Sequence, residues 1–185
     1  MIKAELSAEP RLCQGDILRD VSNFEAFREF EGIVEIQSVL FPNVIVLTQD
    51  CDLEQDFGFR SIARETQDKF LISVLVAPIY NAQHLLVGEH LSELGMKFQK
   101  IQSMTKQDLL VRNQLPRYHY LEFPNGIPIV DSVIDFKHYF SVEVAYLQEL
   151  KKTNFVCKVS ELFREDISHR FASFLSRIGL PTLTD

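Results

Sequence analysis

The chain reads as an α+β fold: a small curled sheet, a helical insertion in its middle and a helix docked onto the sheet at the end. Three patterns predict this. Apolar residues alternate with a period of two in several short runs, as in half-buried strands. Residues 82–113 instead carry Leu85, Leu86, Leu94, Phe98, Ile101, Leu109 and Leu110 at helical spacing. Near the end, Leu162, Phe163, Ile167, Phe171, Phe174, Leu175 and Ile178 form one continuous helical stripe.

In chain order, residues 1–10 read as a loose tail, and Gly15-Asp16-Ile17-Leu18 opens the ordered part. Ile33–Leu40 alternates as a strand, Phe41-Pro42-Asn43 is a turn signal, and Val44–Leu47 is the returning strand of a hairpin. Residues 50–68 are polar and read as irregular. Lys69–Tyr80 is apolar on both faces, as expected of a central strand, and Asn81 is a helix N-cap. Gly88 and Gly95 divide the following helical segment. Pro116 restarts extended structure: Arg117–Phe123 as a strand, Asn125-Gly126 as a turn, Ile127–Ile134 as a strand, then Tyr139–Leu147 as a strand. Ser160 caps the last helix, and Gly179-Leu180-Pro181 stops it. The chain then forms one domain: tail 1–10, a barrel-like half 11–80, the insertion 81–115, further strands 116–159 and the helix 160–178.

The bulk composition narrows the function. A chain of 185 residues, 46% hydrophobic and 24% charged, buries a real core without staples. The net charge of −7 counts against a large phosphate-binding surface and suits a basic partner. Cys13, Cys51 and Cys157 are an odd, widely spaced set, so neither a disulfide framework nor a usual zinc site is expected. No apolar run reaches membrane-span length and the first residues lack a signal-peptide core, so a reduced, cytoplasmic setting away from membranes is expected.

The least ordinary stretch is NVIVLTQDCDLEQD, residues 43–56. An apolar strand ends in Thr48, then Asp50-Cys51-Asp52, with Glu54 and Asp56 beyond. A strand that leaves the core presents side chains where sites are often built. Cys51 as a nucleophile needs a cation or histidine from elsewhere, because flanking carboxylates repel the thiolate. The carboxylates alone suit a hard cation, and a capped turn explains the same residues with no chemistry at all. A second candidate is RYHYLEF, where Arg117 and His119 share one strand face: one to neutralise an anion, one to move protons. Pairing with Asp50 or Asp52 is their structural alternative. In VIDFKHYF, Asp135 either orients a histidine or makes a turn. Arg164, His169, Arg170 and Arg177 line the last helix as a basic strip that suits its dipole. His84 and His90 read as surface or filler, Cys13 and Cys157 as core.

The QGDIL of Gln14–Leu18, followed by VIVLTQDCD at Val44–Asp52, resembles the MazF/PemK-like toxins. The resemblance lies in the first third of the chain. The remainder, with RYHYL and the ending HRFASFLSRIGLP, is similar to bacterial proteins of about this size. The toxin resemblance implies a small SH3-like β-barrel and metal-independent cleavage of single-stranded RNA by the neighbouring 2′-hydroxyl, with Thr48 at the family's hydroxyl position. The family's arginine precedes its apolar strand. Here that place reads Leu40-Phe41-Pro42-Asn43, so Arg117 or Arg60 would have to serve.

Two functions are therefore expected. One is a toxin-like endoribonuclease whose catalytic set is Thr48, Asp50, Cys51, Asp52, Arg117 and His119, with no metal and no cofactor. The other is a non-catalytic protein-interaction subunit or regulator in a toxin–antitoxin or phage-defence assembly. A protein partner is expected in either case. RNA is a partner only in the first, and a homodimer is left open.

Overall fold

The computed structural model describes residues 2–63 and 65–177. It is built on a strongly curled antiparallel sheet, as expected of an α+β chain. The strands are β1 (Ala4–Glu5), β2 (Asp16–Phe30), β3 (Ile33–Val46), β4 (Ser73–Asn81), β5 (Tyr118–Leu121), β6 (Ser132–Asp135), β7 (Phe140–Glu143) and β8 (Phe155–Val159). They run in the order β1-β8-β2-β3-β4-β6-β5, with β7 also paired to β4. The helices are α1 (Asp50–Arg60), α2 (Ala82–Val87), α3 (Met104–Val111), α4 (Val144–Asn154) and α5 (Glu161–Leu175).

The sheet is buried on both faces, because its central strands are apolar at consecutive positions. Cross-strand register puts Ile17, Ile45 and Ala77 on one face. They join Ile134, Phe136 and the α5 residues Ile167, Phe171 and Phe174 in one core cluster. Leu18, Val44, Val46 and Val76 point the other way and pack with Leu53 of α1 and Leu147 of α4. Burying each such side chain contributes about 1.5–3 kcal/mol. The insertion makes a third cluster, in which Leu85, Leu91 and Leu110 cover Tyr80 and Val133. Asn81 caps α2 as expected, accepting from the backbone N–H of Gln83 and His84. Gly88 ends α2 in the left-handed region (φ 76°), where a Cβ would meet the Phe98 carbonyl at 2.3 Å.

The hairpin differs from the sequence expectation. β3 runs straight through Phe41-Pro42-Asn43, and its partner is β2. Pro42 is accommodated at a break in the pairing: register passes from Arg19↔Asn43 to Val21↔Phe41, and Asp20 adopts φ 55°. The turn is Glu31-Gly32, both at positive φ, which is the two-residue geometry that matches strand twist. Beyond Val21 and before Val44, these strands pair only with each other among the described residues. They form an arm that reaches roughly 25–30 Å from the sheet at ~3.4 Å per residue.

Further segments depart from expectation. Residues 1–10, read as a loose tail, hold β1 (Ala4–Glu5), which pairs with β8, and Ile2 is buried in the core. Residues 50–60, read as irregular, form α1, with Asp50 and Asp52 in the first turn where the helix dipole favours carboxylates. Tyr139–Leu147 is divided: β7 ends at Glu143, whose side chain accepts from Tyr146 N–H and starts α4. Ser160 holds the N-cap position of α5 without a side-chain cap bond. Ile178 and the stop signal Gly179-Leu180-Pro181 lie outside the described residues. Among the described residues, no helix is long and apolar enough to cross a membrane.

Candidate functional site

Where β3 leaves the core, Leu47 N–H and Thr48 N–H both donate to the Leu75 carbonyl, at 2.8 and 3.3 Å. Thr48 Oγ1 accepts from Leu75 N–H at 2.7 Å, so its hydroxyl extends the β3–β4 ladder. Asp50, first residue of α1, is gripped by the Arg11 guanidinium at 2.9 and 3.1 Å and by Gln14 N–H at 3.0 Å, with Arg164 at 3.4 Å. Partial burial pushes its carboxyl up. The Arg11 and Gln14 hydrogen bonds and the two arginine charges outweigh that and hold its pKa below the usual carboxylate range. Beside it lies a hollow of about 430 Å³, lined by Gln14, Gln49, Asp50, Cys51, Glu54 and Arg164 among others. Cys51 is exposed, and its Sγ lies 3.8 Å from Gln49 Oε1 and 3.9 Å from Asp52 Oδ1. Neither neighbour is a cation or an imidazole. Asp52 and Glu54 are exposed on α1. Asp56 is buried, accepting from Arg60 Nε at 2.7 Å and Leu71 N–H at 2.6 Å. In a helix, residues two apart point to opposite sides, so Asp50 with Glu54 and Asp52 with Asp56 fall on different faces, and among the described residues no three of these carboxylates come close enough to share one ion.

Arg117 and His119 stand elsewhere. Arg117 closes on Asp135, with Nε at 2.8 and 3.1 Å from the two carboxylate oxygens and a terminal nitrogen at 2.5 Å. Its ion-pair partner is therefore Asp135, not Asp50 or Asp52. Neither Arg117 nor His119 lines the hollow beside Asp50. His119 alternates inward with Leu121, is 3% exposed, and packs against Phe136. Burial, with the nearby Arg170 charge, lowers its pKa to about 3, so the ring is neutral across the physiological range. The structure thus brings Thr48, Asp50, Cys51 and Asp52 together at the start of α1 and separates them from Arg117 and His119. The reason is periodicity: the strand face shared by His119 and Leu121 is the core face.

A second polar constellation surrounds Asp135, which is fully buried at the end of β6. Besides Arg117, its carboxylate accepts from Lys137 N–H at 3.0 Å, which caps a single 3₁₀ turn, Phe136–His138. That turn carries His138 back so that Nδ1 lies 3.5 Å from Asp135 and 3.0 Å from the Tyr80 hydroxyl. Of the two roles weighed for Asp135, the turn is made by this cap, while the His138 Nδ1 nearest to it is engaged by the Tyr80 hydroxyl. His90, from the loop after α2, packs tilted against Phe98 and edge-on to Tyr80, at 4.5 and 4.8 Å between ring centres. Burial lowers the pKa of both histidines, that of His90 to about 4, against the opposing pull of Asp135. A cleft of about 490 Å³ opens here, lined by Tyr80, His90, Asn43, Asn81 and Ser132 among others. Asp135-x-x-His138 was visible in the sequence. His90, read as filler, is brought in only by the packing of the insertion on β4.

The basic strip on α5 is divided: Arg164 and Arg170 are half-buried, whereas His169 and Arg177 are exposed. Arg164 meets Asp50, and Arg170 donates to the carbonyls of Leu115 and Tyr118 at 3.0 and 2.9 Å. Arg177 lies over Phe174. Cys13 and Cys157 are core residues whose thiols burial pushes up to about 12.

The arm carries the largest apolar display. Residues that pair directly share a face of a two-stranded ribbon. Ser22↔Leu40, Phe24↔Ser38, Phe27↔Ile36 and Glu29↔Val34 lie on one side; Asn23↔Val39, Ala26↔Gln37, Arg28↔Glu35 and, at the tip, the exposed pair Phe30↔Ile33 lie on the other. The first side is a stripe of Leu40, Phe24, Phe27, Ile36 and Val34, all exposed, with Phe27 at 72% and Ile36 at 62%. A bulge at the Phe24/Ala26 step keeps Phe24 and Phe27 on that side. Neither protein-family models nor curated proteins match this chain.

Proposed function

We propose that the chain is a protein-interaction subunit that docks through its β2–β3 arm onto a partner with an apolar surface rimmed by basic residues. The observation that carries this reading is the exposed stripe Leu40, Phe24, Phe27, Ile36 and Val34 on a ribbon that, among the described residues, pairs with no other strand. A two-stranded hairpin is marginal by itself, and exposed apolar faces of this kind mark contact sites. Each phenylalanine would contribute about 1.5–3 kcal/mol when covered. The arm as a whole carries Glu25, Glu29, Glu31 and Glu35 against Arg28 alone. A second copy would oppose like charges, and nucleic acid would be repelled, so a basic-rimmed protein surface is the complementary occupant. The MazF/PemK resemblance makes a toxin–antitoxin or phage-defence assembly the natural setting.

A ribonuclease of the MazF/PemK type is less well supported by the geometry. Thr48 is engaged with Leu75 N–H, Arg117 with Asp135, and His119 is enclosed. The test places a photoreactive phenylalanine analogue at position 27 or, as control, at Gln37 on the opposite side, in the native host. A discrete adduct from position 27 alone, with a protein carrying lysines or arginines around the crosslink, is the expected result. Adducts equally strong from both positions, or none from position 27, would overturn the reading. Cleavage of mixed RNA by the wild-type chain in EDTA, lost in Asp50→Asn, would return the weight to the enzyme.

A further inference from the structure

Three side chains that the arm does not use converge at the opposite end of the insertion. One ring nitrogen from each of His90 and His138 and one oxygen of Asp135 all lie within 4.8 Å of one another. Both ring nitrogens of His90 are buried without a hydrogen-bond partner among the described residues. An orphaned buried polar atom is destabilising, so a bound species that takes the nitrogen lone pair would relieve that nitrogen. We propose that His90, Asp135 and His138 bind one divalent first-row transition metal ion, with zinc as the reference case.

The donor set selects the ion class. Two imidazoles with one carboxylate suit zinc, cobalt, nickel or iron, whereas magnesium and calcium require oxygen cages. The carboxylate has room for the ion. Arg117 and Lys137 N–H occupy part of its four lone-pair sites, and Oδ2 still faces His138 at 3.5 Å. Arg117 becomes a positioning residue that fixes the plane of Asp135, as outer partners of metal-bound carboxylates do. Tetrahedral ligation at ~2.0 Å requires donors about 3.3 Å apart, so the three must draw together by up to about 1.5 Å. His90 sits in a loop bounded by Gly88 and Gly95, both at positive φ, which is the element that moves. Three protein ligands leave at least one position open, the arrangement of reactive rather than purely structural zinc sites. The cleft lined by His90, Tyr80, Asn81 and Ser132 is where a bound water or a substrate oxygen would enter.

The test uses the full tag-free chain, stripped with EDTA and titrated with Co²⁺ and Zn²⁺. One equivalent of Co²⁺ with visible ligand-field absorption, displaced by Zn²⁺, is expected. His90→Phe, which keeps a ring between Tyr80 and Phe98, and His138→Phe should each lose that absorption while retaining the wild-type circular dichroism. His84→Ala, in the same cleft but outside the triad, should retain it. A folded wild type that takes up neither ion, or a His90→Phe variant with unchanged stoichiometry and spectrum, would overturn the proposal.

Discussion

Lys151 Nζ lies 2.6 Å from Asp16 Oδ2, with both side chains closed off from solvent. The same oxygen accepts from Cys13 N–H at 2.7 Å, and Lys151 also donates to the Arg11 carbonyl. The pair ties α4 to the start of β2, and through Arg11 it is linked to the Asp50 end of α1. The Asp of the QGDIL motif therefore has a structural task here. Asp16→Ala or Lys151→Ala leaves one uncompensated buried charge and should cost about 3–5 kcal/mol. Asp16→Leu combined with Lys151→Met removes both charges and should recover most of that loss. Urea denaturation of the two single variants and the double variant checks this, and additive losses in the double would contradict it.

Arg117 offers a separate comparison. If its task is to hold Asp135, Arg117→Ala leaves a fully buried carboxylate without its forked partner, again a loss of about 3–5 kcal/mol. Arg117→Lys should recover only part, because an ammonium does not reproduce the two-point grip. A group held ready only for an incoming phosphate would give a stable Arg117→Ala protein. Thermal denaturation of both variants separates the two roles.

Where sequence reading succeeded and failed follows from the range of the physics. Asn81, Gly88 and the both-faces-apolar β4 act locally or through burial, and they were legible. The arm was not. Phe24, Phe27 and Phe30 are spaced by three, a helical interval, and only the bulge after Phe24 puts the first two on one face of a strand. Pro42 likewise reads as a turn until Asp20 is seen to absorb the irregularity opposite it. At the candidate sites, Asp50 and Arg117 were both singled out, yet each takes a partner distant in sequence: Arg11 for the first, Asp135 for the second. Ion-pair choice depends on which strand neighbours which, and the order β4-β6-β5 is a property of the whole sheet. His90 shows the same limit, since no local pattern brings it to Asp135.

The arm should be the least protected part of the sheet. Amide hydrogens from Phe24 to Ser38 rest on one ladder alone, whereas Val44–Val46 lie between two neighbouring strands. Hydrogen exchange measured by mass spectrometry should find the first segment exchanging orders of magnitude faster in the free chain. Phe27→Ser with Ile36→Ser changes only exposed positions, so global stability should move by no more than about 0.5 kcal/mol. Unchanged stability together with loss of the position-27 adduct would tie the arm to binding rather than folding. A large stability loss would mean that the stripe is covered by the chain itself.

His119 gives the fold an acid sensitivity that can be measured alone. Burial first, and the Arg170 charge second, lower its pKa to about 3 in the folded chain, against about 6.5 when unfolded. Between these values the unfolded chain binds a proton that the folded chain refuses. The native state is therefore fully favoured above about pH 6.5 and loses stability as pH falls toward 3, by up to ~1.4 kcal/mol per unit. His119→Leu should remove this contribution and keep the ring's place beside Phe136 filled. Urea midpoints at pH 7 and pH 5 provide the check, because other titrating groups cancel in the difference between the two proteins. The wild type should lose roughly 2 kcal/mol more than the variant over that interval. Equal losses would mean that the imidazole gains a partner or water on acidification and is not held neutral by the core.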